Sequence, residues 1–317
     1  MRDGAKAVSR SRLSAEAQPT DMASGSKHAG DETPERKVGQ PGLTLVSTPI
    51  GNLDDITYRA VKVLESADLI ACEDTRVTGK LLNLLGIAKG KLTPYHEHNA
   101  DKARPALIAR MKDGGSVALV SDAGTPLVSD PGYRLVRACL EEDIPVTSAP
   151  GASALLTALQ LSGLPSDRFL FAGFVPNKDG ARRSVLSELA CVPSSLIFYE
   201  SPHRLADSLE AMAELLPGRE GAVARELTKL YEEVRRGSLA ELAAHYKEHG
   251  GPKGEVVVVI GPPPEEAPAS AEDMEAQLAR ALETLSARDA AATVAAATGL
   301  PKREVYARAV LMANQRK

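Results

Sequence analysis

The stretch from Val117 to Gly132, Val-Ala-Leu-Val-Ser-Asp-Ala-Gly-Thr-Pro-Leu-Val-Ser-Asp-Pro-Gly, constrains this 317-residue chain more than any other. Val117 to Val120 read as a short buried strand, and Ser121-Asp122-Ala123-Gly124-Thr125-Pro126 stops it with a cluster of turn residues. A polar loop therefore follows the carboxyl end of a strand, the edge of an open α/β sheet at which ligands bind. The loop carries two aspartates and no lysine or arginine before Arg134, so it suits a phosphate poorly. Asp130-Pro131-Gly132 has the form of a helix start, with Asp130 as N-cap and Pro131 at the first helical position, ahead of the apolar stripe Leu135, Val136, Cys139 and Leu140. Asp122 has two readings: a carboxylate that stabilises a turn, or one that faces a crevice.

The same strand–loop–helix unit recurs along residues 41–163. Leu43 to Val46 ends in Ser47-Thr48-Pro49-Ile50-Gly51-Asn52 and precedes a helical face of Ile56, Ala60, Val63 and Leu64. Leu69 to Cys72 ends in Glu73-Asp74-Thr75-Arg76, and Ile144 to Thr147 ends in Ser148-Ala149-Pro150-Gly151-Ala152-Ser153-Ala154. Strands alternating with helices imply a parallel sheet with right-handed crossovers. Over residues 164–261 the rhythm changes, with strands at Phe169 to Gly173, Ser195 to Tyr199, Gly221 to Arg225 and Glu255 to Ile260. This reads as a second α/β domain, with a ligand cleft between the two. Proline-rich residues 262–271 read as a linker and 272–317 as a helical C-terminal module. Residues 1–40 have almost no large apolar side chains and no periodicity, the signature of a disordered tail without a signal peptide.

Composition narrows the chemistry. No apolar run is long enough to cross a bilayer, and a net charge of −4 gives no global signal for nucleic acid, so any such partner must meet a local basic face. The three cysteines, Cys72, Cys139 and Cys191, share no metal-ligand spacing and lie in or beside apolar runs, which reads as buried reduced thiols and a cytoplasmic protein. No dinucleotide-binding glycine motif, P-loop or zinc-protease motif is present. His96 and His98 have no obvious third ligand, and no metal site is expected.

Thr48-Pro49-Ile50-Gly51-Asn52-Leu53, Glu73-Asp74-Thr75-Arg76, Ser121 to Pro126 with Asp130-Pro131-Gly132, Phe198-Tyr199-Glu200-Ser201 and Arg225-Glu226-Leu227-Thr228-Lys229 occur in this order. Together they closely resemble the ribosomal small-subunit RNA methyltransferase I family of the tetrapyrrole methylase superfamily, from about Leu43 to Ile260. The long N-terminal tail departs from that pattern. The resemblance implies a two-domain α/β tetrapyrrole-methylase-like fold: a parallel-sheet N-terminal domain, a mixed-sheet second domain and a small helical C-terminal module. It also implies a homodimer that uses S-adenosylmethionine to methylate the 2′-hydroxyl of a cytidine in 16S rRNA of the small ribosomal subunit. The residues placed at the cofactor are Pro49, Gly51, Ser121, Asp122, Ala123, Gly124, Thr125, Pro150, Gly151, Ser153, Ala154, Tyr199 and Glu200. A sulfonium cation without a phosphate suits a loop of aspartate and backbone carbonyls, and small residues let the backbone approach the flat adenosine.

Methyl transfer to a ribose needs an in-line geometry and a group that removes the hydroxyl proton. Glu73 and Asp74 are the candidates, because they stand on the same sheet edge as Asp122; the alternative has Asp74 capping the next helix and Glu73 pairing with Arg76. His203, Glu226 and Lys229 lie in matched motifs and are weaker candidates. Lys178, Arg182 and Arg183 form a local basic cluster, and Lys302, Arg303 and Arg308 lie in a helix after a glycine turn that has the form of a helix-turn-helix. RNA contact and a packing cap are both open readings of that module. Two other functions stand beside rRNA methylation: methylation of a small tetrapyrrole, and RNA binding without catalysis.

Overall fold

A computed structural model describes residues 39–88, 92–264 and 271–315; the tail expected over residues 1–40 lies, up to residue 38, outside the described residues. Five parallel strands, β1 (Gly42–Val46), β2 (Leu69–Cys72), β3 (Leu92–Pro94), β4 (Ser116–Val120) and β5 (Val146–Ala149), make a sheet in the order β3-β2-β4-β1-β5. Every residue of β4 is buried because helices cover both faces, which is why these strands are continuous apolar runs instead of alternating ones. α1 (Tyr58–Ser66) and α2 (Thr75–Leu84) place Ala60, Val63, Leu64 and Leu82 in one core. α3 (Ala100–Lys112) and α4 (Tyr133–Glu141) place Leu107, Met111, Leu135 and Cys139 in another. The chains leaving the adjacent strands β1 and β4 thus run to opposite faces, and the loops between them diverge into a crevice at the carboxyl edge.

After α5 (Ala154–Ser162), the strands β6 (Phe169–Phe174), β7 (Ser195–Glu200), β8 (Glu220–Arg225), β9 (Glu233–Ser238) and β10 (Val256–Ile260) form a mixed sheet in the order β6-β7-β10-β8-β9. Only the β6–β7 pair is parallel. α6 (Asp179–Leu189), α7 (Leu205–Leu215) and α8 (Leu239–His249) bury one face through Leu186, Leu205, Leu209, Met212 and Leu242. The other face is covered by Leu155, Ala158 and Leu159 of α5 together with Ile50 and Leu227. α5 follows β5 in the chain but serves the second sheet, and Ile50, from the loop after β1, joins the same core. The central β10, Val-Val-Val-Val-Ile, is buried throughout, and each such side chain contributes about 1.5–3 kcal/mol by leaving water.

Several local expectations are corrected. β5 begins at Val146, two residues beyond the strand expected from Ile144, because Ile144 N–H donates to Cys139 O (2.8 Å) and finishes the turn that ends α4. β9, Glu-Val-Arg-Arg-Gly-Ser, hides its strand character behind charge; it is an edge strand whose Glu233 pairs with Arg225 at 2.8 Å. α4 starts at Tyr133 with Gly132 at φ 138° before it and no side-chain cap, so Asp130 is not an N-cap. Cys72 and Cys139 are buried, but Cys191 is exposed.

Beyond residue 270, α9 (Ala271–Ala281), α10 (Ala287–Thr298) and α11 (Lys302–Gln315) share a core of Leu278, Ala290, Ala291, Val294, Val305 and Ala309. Ser286 caps α10 by accepting from Asp289 N–H (3.2 Å), and Gly299 at φ 68° ends it. Among the described residues, no helix is long and apolar enough to cross a membrane.

Candidate active site

Three strand-end loops of the first sheet are stitched together. Thr48 and Gly124 exchange backbone hydrogen bonds (2.9 and 3.1 Å), joining the loop after β1 to the loop after β4. Thr125 Oγ1 donates to Ala152 O (3.1 Å), which ties in the loop after β5. Gly124 sits at φ 78°, where a side chain would be strained and its Cβ would come within 3.3 Å of Ile50. Leu127 (φ 73°) and Ser129 (φ 62°) also take left-handed conformations in this loop, and Glu226 (φ 48°) and Thr228 (φ 65°) do so in the loop after β8. Such strain persists only where surrounding contacts enforce it.

These loops wall a cavity of about 430 Å³. Of the residues expected at a cofactor, Asp122, Ala123, Gly124, Thr125, Ser153, Ala154, Tyr199 and Glu200 line it. Pro49, Gly51, Ser121, Pro150 and Gly151 do not line it. Ser121 is buried and its hydroxyl donates to the Ala123 and Gly124 carbonyls (3.3 and 3.4 Å), Gly151 packs on Ser47, and Gly51 packs under the Lys229 side chain. The sequence reading did not place at the cofactor Ile50, Val128, Ser129, Asp130, Phe174, Ser201, Pro202, Gly254, Glu255, Val256 and Val257, which complete the wall. Tyr199 packs edge-on against Phe171 and Phe174, with ring centroids at 4.9 and 5.4 Å. Gly254 (φ 93°) is required by its surroundings, since a Cβ there would run into the Glu226 carboxylate.

Carboxylates dominate the electrostatics; among the described residues no lysine, arginine or histidine lines the cavity. Glu200 is neutralised, since its buried carboxylate accepts from Arg204 at 2.7 Å and from the Ser208 hydroxyl, and so anchors the segment after β7. Asp122 Oδ1 accepts the Asp74 N–H at 3.1 Å, so it both braces the junction of two loops and borders the cavity. Burial, foremost, pushes the Asp130 carboxyl up to about 6; the charges of Glu73 and Asp122 add to this and the Ser121 hydroxyl opposes it. Glu73 is likewise raised, by burial first and then by Asp122. Asp74 behaves in the opposite way: hydrogen bonds from Arg76 lower it to about 2. It caps α2 (Arg76 N–H donates at 2.8 Å) and pairs with the Arg76 guanidinium at 2.6 Å. The ion pair anticipated between Glu73 and Arg76 therefore belongs to Asp74. Burial also raises the Tyr199 phenol.

A second cavity of about 460 Å³ adjoins the first, lined by Tyr95, Glu97, His98, Ala100 and residues 130–134; Asp130 lines both. Among the described residues, no group of three or more histidine, cysteine, aspartate or glutamate side chains is arranged to hold a metal ion. His203, also singled out in the sequence, lies in the 3-10 turn Pro202–Arg204. Glu226 and Lys229 pair with each other at 2.8 Å.

The basic residues divide. Arg182 is buried and paired with Asp179 at 2.8 Å, which removes it from any RNA-facing surface, and Arg183 pairs with Glu214. Lys178 is exposed at the start of α6. Arg308 pairs with Glu275 of α9, whereas Lys302 and Arg303, in the first turn of α11, are exposed and make no ion pair among the described residues.

A parallel sheet with an acidic strand-end cavity, closed by a mixed sheet, defines a tetrapyrrole-methylase fold. The sequence profile described as Tetrapyrrole (Corrin/Porphyrin) Methylases matches residues 42–243, and that described as RsmI C-terminal HTH domain matches residues 268–313. The fold is similar to that of a diphthine synthase (TM-score 0.55, 17% identity, 69% of this chain and 89% of that one). It is also similar to that of a cobalt precorrin-4 methyltransferase (TM-score 0.52, 15% identity, 69% and 94%). Closer relatives are proteins named ribosomal RNA small subunit methyltransferase I. The one from Mesorhizobium japonicum is 53% identical, over 87% of this chain and 94% of its own length. That from Erythrobacter litoralis is 57% identical (85% and 95%), and that from Escherichia coli O157:H7 is 46% identical (84% and 94%). The chain belongs to the ribosomal RNA small subunit methyltransferase I family.

Proposed function

We propose that this protein transfers a methyl group from S-adenosylmethionine to the 2′-hydroxyl of a cytidine in the 16S rRNA of the small ribosomal subunit. The observation that carries the reading is the cation-free, carboxylate-bearing cavity at the strand ends, in a chain this similar to enzymes of that name. The lining fits the methyl donor: the Asp122 carboxylate favours a sulfonium and disfavours a phosphate. Ile50, Val256, Val257 and Tyr199 offer an apolar wall to the adenosine. Gly124 supplies the close backbone approach. When bound, S-adenosylmethionine supplies an electrophilic methyl carbon on a cationic sulfur. The residues contribute alignment and exclusion of water, the terms on which an in-line displacement most depends.

Of the two carboxylates expected to take the hydroxyl proton, Asp74 is committed to its cap and ion pair. Glu73 keeps a raised proton affinity but lines neither of the two cavities. The helical module is the RNA-facing part in this reading. Lys302 and Arg303 stand at the N-terminus of α11, the unfavourable end of the helix dipole for a cation, where an incoming phosphate would offset the cost. Lys178 and Arg183 serve as a second basic contact. The protein works in the cytoplasm, where its ribosomal substrate is, and as a homodimer, in which a second copy would cover exposed apolar residues such as Leu230 and Tyr231.

The test is transfer of labelled methyl from S-adenosylmethionine to small subunits taken from cells that lack the enzyme, followed by nuclease mapping. The expected product is a single ribose-methylated cytidine in 16S rRNA. Label on a base, or none in rRNA, overturns the reading.

A further inference from the structure

We propose that the second cavity receives the nucleotide to be methylated, and that Asp130, on the wall the two cavities share, is the general base that removes its 2′-hydroxyl proton. The inference rests on the methyltransferase reading above and adds to it the acceptor's place and the catalytic residue.

Three observations carry it. Asp130 is the residue common to the linings of both cavities, so a group held in the second cavity meets the donor cavity at this carboxylate. Asp130 has also been released from the structural duty its sequence suggests: Gly132 stands at the cap position of α4, and the left-handed residues Leu127 and Ser129 turn the loop away from a capping geometry. The second cavity, finally, contains an unmet polar group. Tyr95 is 1% exposed, and its hydroxyl has no hydrogen-bond partner among the described residues. The nearest cation, Arg104, interacts with it electrostatically and donates through Nη2 to Asp101 at 2.7 Å. A buried hydroxyl left unpaired is unfavourable, and a ligand that bonds to it relieves that cost. With Glu97, His98 and Arg134 on the same wall, the cavity offers acceptors and donors suited to a ribose and the edge of a pyrimidine.

The step balances without a further reactant. The O–H bond breaks and its proton passes to the Asp130 carboxylate. The oxygen's electron pair forms the new O–CH₃ bond, and the S–CH₃ pair returns to sulfur, leaving a neutral thioether. A base with its pKa near 6 is deprotonated at neutral pH yet retains affinity for the proton it must take. The groups that face Asp130 are Ser121 and Asp122 from its own loop, Glu73 after β2, and Tyr199 on β7. Around the second cavity they are joined by Glu97 and His98 after β3, and by Tyr133 and Arg134 at the start of α4.

The experiment is single-turnover and steady-state methylation of small subunits by the full-length protein and by Asp130→Asn, Asp130→Glu, His98→Gln and Tyr95→Phe variants, across pH, with calorimetric titration of S-adenosylhomocysteine. The wild-type rate should fall about tenfold per pH unit below about pH 6. Asp130→Asn should lose about 100-fold or more of the rate and that acid limb, with S-adenosylhomocysteine affinity within about threefold of wild type. Asp130→Glu should recover part of the rate, and His98→Gln should keep the limb. Tyr95→Phe, which adjoins the second cavity alone, should raise KM for subunits with kcat largely retained. The proposal falls if Asp130→Asn keeps its rate, if its loss is restored by saturating donor, or if Tyr95→Phe leaves KM unchanged. If the wild-type protein itself labels no rRNA, it is the broader functional reading that fails.

Discussion

The two sheets contribute to one cavity in different ways. The parallel sheet supplies carboxylates: Asp122 and Asp130 line the cavity from the loop after β4, Glu73 acts on Asp130 from the loop after β2, and Asp130 and Glu73 bind protons more tightly than free carboxylates do. The mixed sheet supplies a finished surface. Its buried carboxylate, Glu200, is paired with Arg204 and Ser208, Glu255 pairs with Lys229 at 3.2 Å, and Phe174, Tyr199, Val256 and Val257 add an aromatic and aliphatic face. Parallel strands end on the same edge, so their loops can gather charged groups from distant parts of the chain. A mixed sheet distributes its strand ends over two edges and is better suited to present a rigid apolar face.

The sharpest way to break this contrast is Gly124→Val. A β-branched residue at φ 78° is an outlier, and it would press on Ile50 while disturbing the pairing with Thr48. S-Adenosylhomocysteine binding should fall by about 100-fold or more, in a protein whose circular dichroism shows a retained fold; calorimetric titration with unchanged affinity would remove the loop from the site. Changing the other sheet should affect stability rather than binding. Glu200→Ala strands the Arg204 guanidinium, and losing one partner of a buried pair costs about 3 kcal/mol, or roughly 6 °C in Tm for a chain of this size. Cofactor affinity should change less than tenfold, and a variant with unaltered Tm but abolished binding would reverse the assignment.

The smallest effect is expected in the third region. Lys302→Gln with Arg303→Gln should leave S-adenosylhomocysteine affinity unchanged, because α9 to α11 close their own core. The same pair of changes should reduce the salt slope of subunit binding by about 1.5, as two phosphate contacts release fewer counterions. An unaltered slope would make the module architectural. Arg308, bound to Glu275, belongs to that architecture already.

Much of this was legible beforehand for identifiable reasons. β4 and β10 are buried on both faces, so each is an uninterrupted apolar run. α10 and α11 fall within the helical module expected over residues 272–317, on either side of its glycine turn, because serine, glycine and proline punctuate them locally. The acidic, phosphate-averse character of the loop after β4 was plain from composition, and among the described residues no lysine, arginine or histidine lines the cavity it borders. β9 was missed because its charges are satisfied by contacts that form only on folding: Glu233 by Arg225 of β8, and Arg236 by the Leu161 and Ser162 carbonyls at the end of α5. Arg182 read as a surface cation because its burial comes from the packing of α6, not from its flanking residues.

The sequence by itself determined the alternation of strands and helices, the loops that would carry chemistry, and the sign of their charge, because these follow from short-range periodicity, turn residues and composition. Only the tertiary structure decided which carboxylate does what. Asp74, Asp122 and Asp130 are the same residue type in similar local settings. One is held by Arg76, one braces a neighbouring loop, and one is left between two cavities. That division depends on which strand ends lie side by side and how much water each carboxylate loses, and both are set by the order β3-β2-β4-β1-β5 and the packing of a second sheet over its edge.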